Sequence, residues 1–207
     1  EGGNLDYYFI NGPELKDVVQ KYTEITGKMP LPPKWSLGYH QSRYSYKTEN
    51  EVREVANNFR QRQIPCDTIH LDIHYMDNYR VFTWDEDKFF NPEDLISDLD
   101  NKGFKVVNIV DPGVKKDPEY EVYKKGLDKD CFCRYMDGKL YSGDVWPGES
   151  VFPDFTQKKV RNWWKELHQP LLDQGVRGIW NDMNEPAVFN DSSTMDRKVI
   201  HHNDGSP

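Results

Sequence analysis

Gly178-Ile-Trp-Asn-Asp-Met-Asn-Glu-Pro186 decides how this sequence is read. Arg177 to Trp180 opens it with the short apolar run of a buried strand. Pro186 closes it, because proline has no amide hydrogen to give to a ladder. Two carboxylates, Asp182 and Glu185, lie between, with Trp180, Asn181, Met183 and Asn184 around them. Side chains alternate along a strand, so Trp180 and Asp182 point the same way. An indole beside a carboxylate suits a sugar, whose C–H face packs on the aromatic plane while the acid addresses hydroxyls or the anomeric carbon. Acids at the point where a buried strand ends are also where α/β barrels assemble their chemistry. Capping of a following helix by Asp182 or Asn184 is the plainer use of the same residues. The nine residues alone support both.

Working outward, strand and helix patterns alternate. Leu15, Val18, Val19, Tyr22 and Ile25 recur at helical spacing within 11–27, and Met29-Pro-Leu-Pro-Pro33 follows as a stiff connector. Residues 35–39 read as a first strand running into His40-Gln-Ser-Arg43. Thr48 and Glu51 form a capping box for a helix through Gln63, with Val52, Val55 and Phe59 on its inner face. Residues 68–75 read as a second strand. A helix from Asn91-Pro-Glu-Asp to Gly103 leads to a third strand at 105–110. An amphipathic helix over 156–174, carrying Val160, Trp163, Trp164 and Leu167, leads to the fourth strand at 178–181. Residues 113–155 are too long for a simple connection. They read as an insertion with a small hairpin, folded over the strand ends. The polar stretch 190–207 reads as a loop.

Such alternation gives right-handed βαβ units and a parallel sheet. The expected fold class is therefore α/β, a (β/α)8 TIM barrel of which the first four βα units are present, with the insertion after strand 3. A whole barrel needs about 250 residues. The expectation is accordingly one partial catalytic domain over 1–207, its cover at 113–155, with the remaining half of the barrel supplied by the rest of a longer polypeptide.

Composition removes several function classes. The net charge of −8 argues against nucleic acid as the ligand, and no apolar run reaches the length of a membrane span. No signal peptide is visible at the first residues, and a cytoplasmic location is expected. Cys66, Cys131 and Cys133 cannot all pair within the chain and read as reduced thiols; Cys131-Phe-Cys133 lacks zinc-site spacing. His70, Asp72 and His74 share one face of the second strand, so a metal-dependent barrel hydrolase is a rival reading. Neighbours on a single strand rarely enclose a metal unaided, and the plainer reading gives Asp72 alone to the pocket.

Trp180-Asn-Asp-Met-Asn-Glu-Pro186 is similar to the nucleophile signature of glycoside hydrolase family 31, the retaining α-glucosidases and α-xylosidases. Residues 31–43 resemble that family's first barrel strand, Leu71-Asp-Ile-His-Tyr-Met-Asp77 its second, Val110-Asp-Pro-Gly113 its third, and Val145-Trp-Pro-Gly148 with Phe152-Pro-Asp-Phe155 a loop that supplies an aromatic wall. The resemblance makes Asp182 the catalytic nucleophile. It makes Asp72 a ligand of sugar hydroxyls, and places Ile109, Asp111, Trp146, Trp180 and Met183 around the substrate. Glu185, His74 and Tyr44 take supporting roles, Glu185 by bracing the strand end through hydrogen bonds. Tyr44 stands where the family's α-glucosidases often carry Trp. The implied activity is hydrolysis of terminal α-linked glucose in oligosaccharides through a covalent glycosyl-aspartate, with no cofactor. An α-xylosidase or transglucosylase is the alternative within the family, and a non-catalytic carbohydrate-binding fragment the alternative outside it. The acid/base residue is expected from a later strand.

Overall fold

The computed structural model describes residues 6–190 and 192–205. They divide into two compact units, the first ending at Leu37 and the second beginning at Gly38. The first unit holds helix α1 (Leu15–Thr26) and a 3-10 turn at Lys34–Leu37. The Asp17 side chain accepts from the Glu14 amide at 3.3 Å at the start of α1. The helical spacing is as expected, yet the apolar stripe of Leu15, Val19, Tyr22 and Ile25 is exposed.

In the second unit strand β1 (His40–Gln41) is followed by helix α2 (Glu49–Gln61), strand β2 (Thr68–Leu71) and two 3-10 turns at Ile73–Tyr75 and Asp77–Tyr79. Helix α3 (Pro92–Asn101) leads into strand β3 (Lys105–Val110). The insertion contributes β4 (Val114–Lys115), helix α4 (Glu121–Asp128), β5 (Arg134–Tyr135), β6 (Gly143–Val145) and β7 (Gly148–Val151). Helix α5 (Lys158–Asp173), strand β8 (Gly178–Asn181), strand β9 (Val199–Ile200) and a 3-10 turn at Asn203–Gly205 complete the described chain.

Strands β1, β2, β3 and β8 lie side by side in that order, all parallel. Helices occupy the connections, as the alternation of the sequence requires. The bounds of β3 and β8 coincide with the sequence reading. Ile69, Leu71, Val106 and Val110 are buried in one core with Val52 and Ala56 of α2, Leu95, Ile96 and Leu99 of α3, and Val160, Trp163 and Leu171 of α5. Helices α2, α3 and α5 carry local start or stop signals. The Thr48 hydroxyl accepts from the Glu51 amide at 3.3 Å, and the Glu51 carboxylate reaches back to Lys47 N–H at 2.9 Å, one residue earlier than a simple capping box. Asn91 caps α3, with Pro92 in the first turn. Gly103 and Gly175 end α3 and α5 at φ +79° and +101°, where a side chain would strain the backbone.

Two of the four strands differ from expectation. The first lies not at 35–39 but at His40–Gln41, because Ser36 N–H folds back on Pro33 C=O at 3.0 Å and coils residues 34–37. The second ends at Leu71 rather than running to residue 75, because the Asp72 carboxylate accepts from Ile73 N–H at 2.8 Å and starts a turn. Within the insertion β4, β7 and β6 form an antiparallel sheet, and the expected small hairpin is β6–β7, turning at Trp146-Pro147. The expected terminal loop contains β9, antiparallel to β5. Among the described residues no helix is long and apolar enough to cross a membrane.

Candidate active site

Register determines what the sheet presents. His70 pairs with Val107 and Val107 with Gly178; Ile109 pairs with Trp180. Paired residues of a parallel sheet share a face, and alternation carries the face along each strand. One face thus collects His40, His70, Val107, Ile109 and Trp180, and just past the strand ends Asp72, Asp111 and Asp182. The opposite face carries Ile69, Leu71, Val106 and Val110 to the helices. Asp72, Asp111 and Asp182 therefore stand at the C-terminal ends of three neighbouring strands, about 4.8 Å apart from strand to strand.

The three acids sense one another. Asp111 is 6% exposed, and its Oδ1 has no hydrogen-bond partner among the described atoms. Burial first, then the charges of Asp182 and Asp72, push its carboxyl up to about 7. Asp72, also buried, is shifted upward by desolvation, with Ile73 N–H and His74 opposing and Asp182 adding to the rise. Asp182 itself is half-buried.

Aromatic rings surround this group. Trp180 meets His70 edge-on at 6.0 Å across the small Val107, and His70 Nε2 lies 3.0 Å from His40 Nδ1. The Tyr44 ring lies 5.6 Å from His74 and 6.2 Å from Trp146, and Trp146 meets Phe189 at 5.1 Å. The hairpin turn thus carries Trp146, 38% exposed, toward the loop after β1, where Tyr44 is 65% exposed. His74 Nε2 lies 3.3 Å from Tyr79 O–H, and burial, with Lys47 nearby, lowers its pKa. Ile109 is buried beside Trp180. Met183 turns the chain at φ +58° and packs on a second apolar cluster of Cys133, Tyr141, Val145, Phe152 and Val188.

Two readings, the Glu185 brace and the rival metal site, have no matching contacts among the described residues. Glu185 is exposed, and its side chain makes no hydrogen bond or ion pair among the described residues. His70, Asp72 and His74 do not converge as a metal site, since the strand ends between His70 and His74 and each ring faces another partner. The group among the described residues whose ligand atoms do converge is Cys133, Asp154 and His201. His40, Tyr79 and Phe189 join the site without having been singled out. His40 was legible as the end of a strand; Phe189 closes the short run Ala187-Val-Phe189, too brief to carry a periodic signal.

The family profile described as Glycosyl hydrolases family 31 TIM-barrel domain matches residues 29–207. The chain belongs to glycosyl hydrolase family 31. It is 63% identical over its whole length to "Alpha-glucosidase 2" of Bacillus thermoamyloliquefaciens, covering 26% of that protein. Its fold matches the crystal structure of an ER glucosidase II heterodimeric complex with TM-score 0.87 at 38% identity, over 93% of this chain and 22% of that one. It matches a family 31 α-glucosidase from Bacteroides thetaiotaomicron with TM-score 0.78 at 47% identity, over 86% of this chain and 30% of that one. The four parallel strands are thus part of a family 31 TIM barrel, and the chain spans about a quarter of the length of the curated relatives it matches.

Proposed function

We propose that this chain carries the nucleophile side of the active site of a retaining α-glycosidase, acting on terminal α-linked glucose in oligosaccharides. The observation that carries the reading is the convergence of Asp72, Asp111 and Asp182 on one sheet face beside Trp180. The Asp182 carboxylate attacks the anomeric carbon as the bond to the leaving oxygen breaks, and water later releases the glycosyl ester. Retention requires a second carboxyl about 5–5.5 Å from the nucleophile to protonate the leaving group. Asp72 and Asp111 are engaged with sugar hydroxyls in this reading, so the proton donor comes from a part of the barrel beyond these four strands. Asp72 binds as a charge-assisted acceptor, and Asp111, whose carboxyl is pushed up to about 7 by burial, can donate as well as accept. Trp180 and Trp146 wall the ring. A cytoplasmic setting is proposed with this, supported by three free and buried thiols.

Incubation with a mechanism-based fluoroglycoside followed by peptide mapping tests the reading. The expected product is a glucosyl ester on Asp182. A sugar on Glu185, or on neither, overturns it.

A further inference from the structure

On the other side of the sheet from the three acids, pairing of short strands gathers a different set of side chains. Arg134 pairs with Ile200 in the antiparallel β5–β9 ladder, which puts Cys133 level with His201. On its other side Phe132 bridges Pro153, Cys133 N–H donates to Phe152 C=O at 2.8 Å, and Asp154 N–H donates to Cys131 C=O at 2.8 Å. A thiol, a carboxylate and an imidazole are brought together by backbone hydrogen bonds from three separate segments. His201 Nδ1 lies 3.9 Å from Cys133 Sγ and 3.3 Å from Asp154 Oδ1, and all three ligand atoms lie within 4.8 Å of one another.

We propose that Cys133, Asp154 and His201 form a binding site for a divalent cation of the zinc type. Zinc–ligand bonds of about 2.0–2.3 Å set tetrahedral ligand atoms roughly 3.3–3.6 Å apart; both spacings from His201 lie within a few tenths of an ångström of that range, and the third, from Cys133 to Asp154, is within 4.8 Å and closes by a turn of the thiol. A sulfur, nitrogen and oxygen donor set selects zinc or cobalt over magnesium or calcium. The carboxylate is already oriented as metal ligands are. Asp154 Oδ1 accepts from Thr156 Oγ1 at 2.6 Å and Thr156 N–H at 3.2 Å, while Oδ2 accepts from Gln157 Nε2 at 2.8 Å and His202 N–H at 2.9 Å. A cavity of about 500 Å³, lined by Cys133, Thr156, Asn184, Met195 and His201, leaves room for a fourth ligand such as water.

The protonation states give the site a signature. Burial pushes the Cys133 thiol up to about 12, with the Asp154 charge adding to it. Asp154 is pushed up by its own burial, but the bonds from His202, Thr156, Gln157 and His201 outweigh this and hold it down to about 2. A cysteine ligand binds such an ion as the thiolate, so its proton leaves as the ion enters. The cavity shares Val110 and Asn181, which point away from the sheet face of Asp72, Asp111 and Asp182. The ion therefore fastens residues 199–203 to the insertion and takes no part in glycoside chemistry.

Titration of the intact, metal-free protein with Co²⁺ tests this independently of any glycosidase activity. The expected result is one ion per chain, thiolate-to-cobalt charge-transfer absorption, about one proton released per ion, and displacement by Zn²⁺. Cys133→Ser removes the charge-transfer absorption and Cys131→Ser keeps it. His201→Gln, at an exposed side chain, leaves the circular dichroism unchanged and weakens binding roughly tenfold or more. Absence of the absorption in the parent protein overturns the proposal, as does its survival in Cys133→Ser or unweakened binding in folded His201→Gln.

Discussion

Replacing Asp111 by Asn removes a proton that the fold holds against its ordinary tendency to leave. Below about pH 3.8 the carboxyl is protonated in both folded and unfolded chains. Between there and about 7 the unfolded chain releases a proton that the folded one retains, so rising pH favours unfolding through that window and levels off above it. The shift spans roughly three pH units at about 1.36 kcal/mol each, giving about 4 kcal/mol of stability lost by neutrality. Asn is close in shape, neutral at every pH, and relieves the repulsion with Asp182 and Asp72. Asp111→Asn is therefore expected to match the parent near pH 4 and to exceed it by up to about 4 kcal/mol near pH 7. Urea unfolding of both proteins at several values across the window measures the difference. Parallel stability curves would show that Asp111 titrates normally and that the three acids do not share one desolvated site.

Asp182→Ala is expected to lower turnover roughly a thousandfold or more, with azide restoring part of it as the inverted product; product stereochemistry by NMR checks this. Glu185→Gln should leave stability within about 0.5 kcal/mol and the shape of the pH–rate profile unchanged, because the side chain is exposed and has no hydrogen bond or ion pair among the described residues. A drop of several degrees in melting temperature would reveal a brace the contacts do not contain. Arg60→Met should destabilise by about 2–3 kcal/mol. It removes bonds to Lys102 C=O at 2.7 Å and Cys66 C=O at 2.9 Å, together with stacking 3.6 Å over Phe104. Arg60→Lys should recover little of this in chemical denaturation, since a single ammonium cannot span both carbonyls.

What the sequence made legible was whatever short-range physics decides. Strands β3 and β8 are short, mainly apolar runs just after helix stops, and their bounds were readable from Gly103, Gly175 and the residues that follow. The alternation that set Trp180 and Asp182 on one side gave the core of the site, and pairing with β3 extended it to Asp111. The first strand misled because Trp35-Ser-Leu-Gly-Tyr39 is apolar enough for a strand, while the Pro32-Pro33 corner before it winds the backbone into a turn. The second was overextended because Asp72 is both a pocket carboxylate and the cap that ends the strand. Strand β9 and the Cys133–Asp154–His201 group were beyond local reading. Val199-Ile200 is too short to announce itself, and only its partner, more than sixty residues earlier, makes it a strand.

That last pairing has a consequence for the order in which the molecule can be made. The insertion leaves the sheet after β3, yet one of its strands, β5, finds its partner only at Val199–Ile200, after α5 and β8. Closing such a distant contact carries the loop entropy of every residue between. During synthesis β1, β2 and β3 with their helices can pack while the insertion still lacks an edge. Its small core of Cys133, Tyr141, Val145 and Phe152 lacks Val188, and Met183 and Val199 beside it, until that later stretch of chain has been made. The wall carrying Trp146 is in this sense sealed by chain made after it, and shortening the segment after β8 would loosen the β6–β7 hairpin by removing Phe189 N–H from Asp144 C=O at 2.8 Å and the Phe189 ring from Trp146.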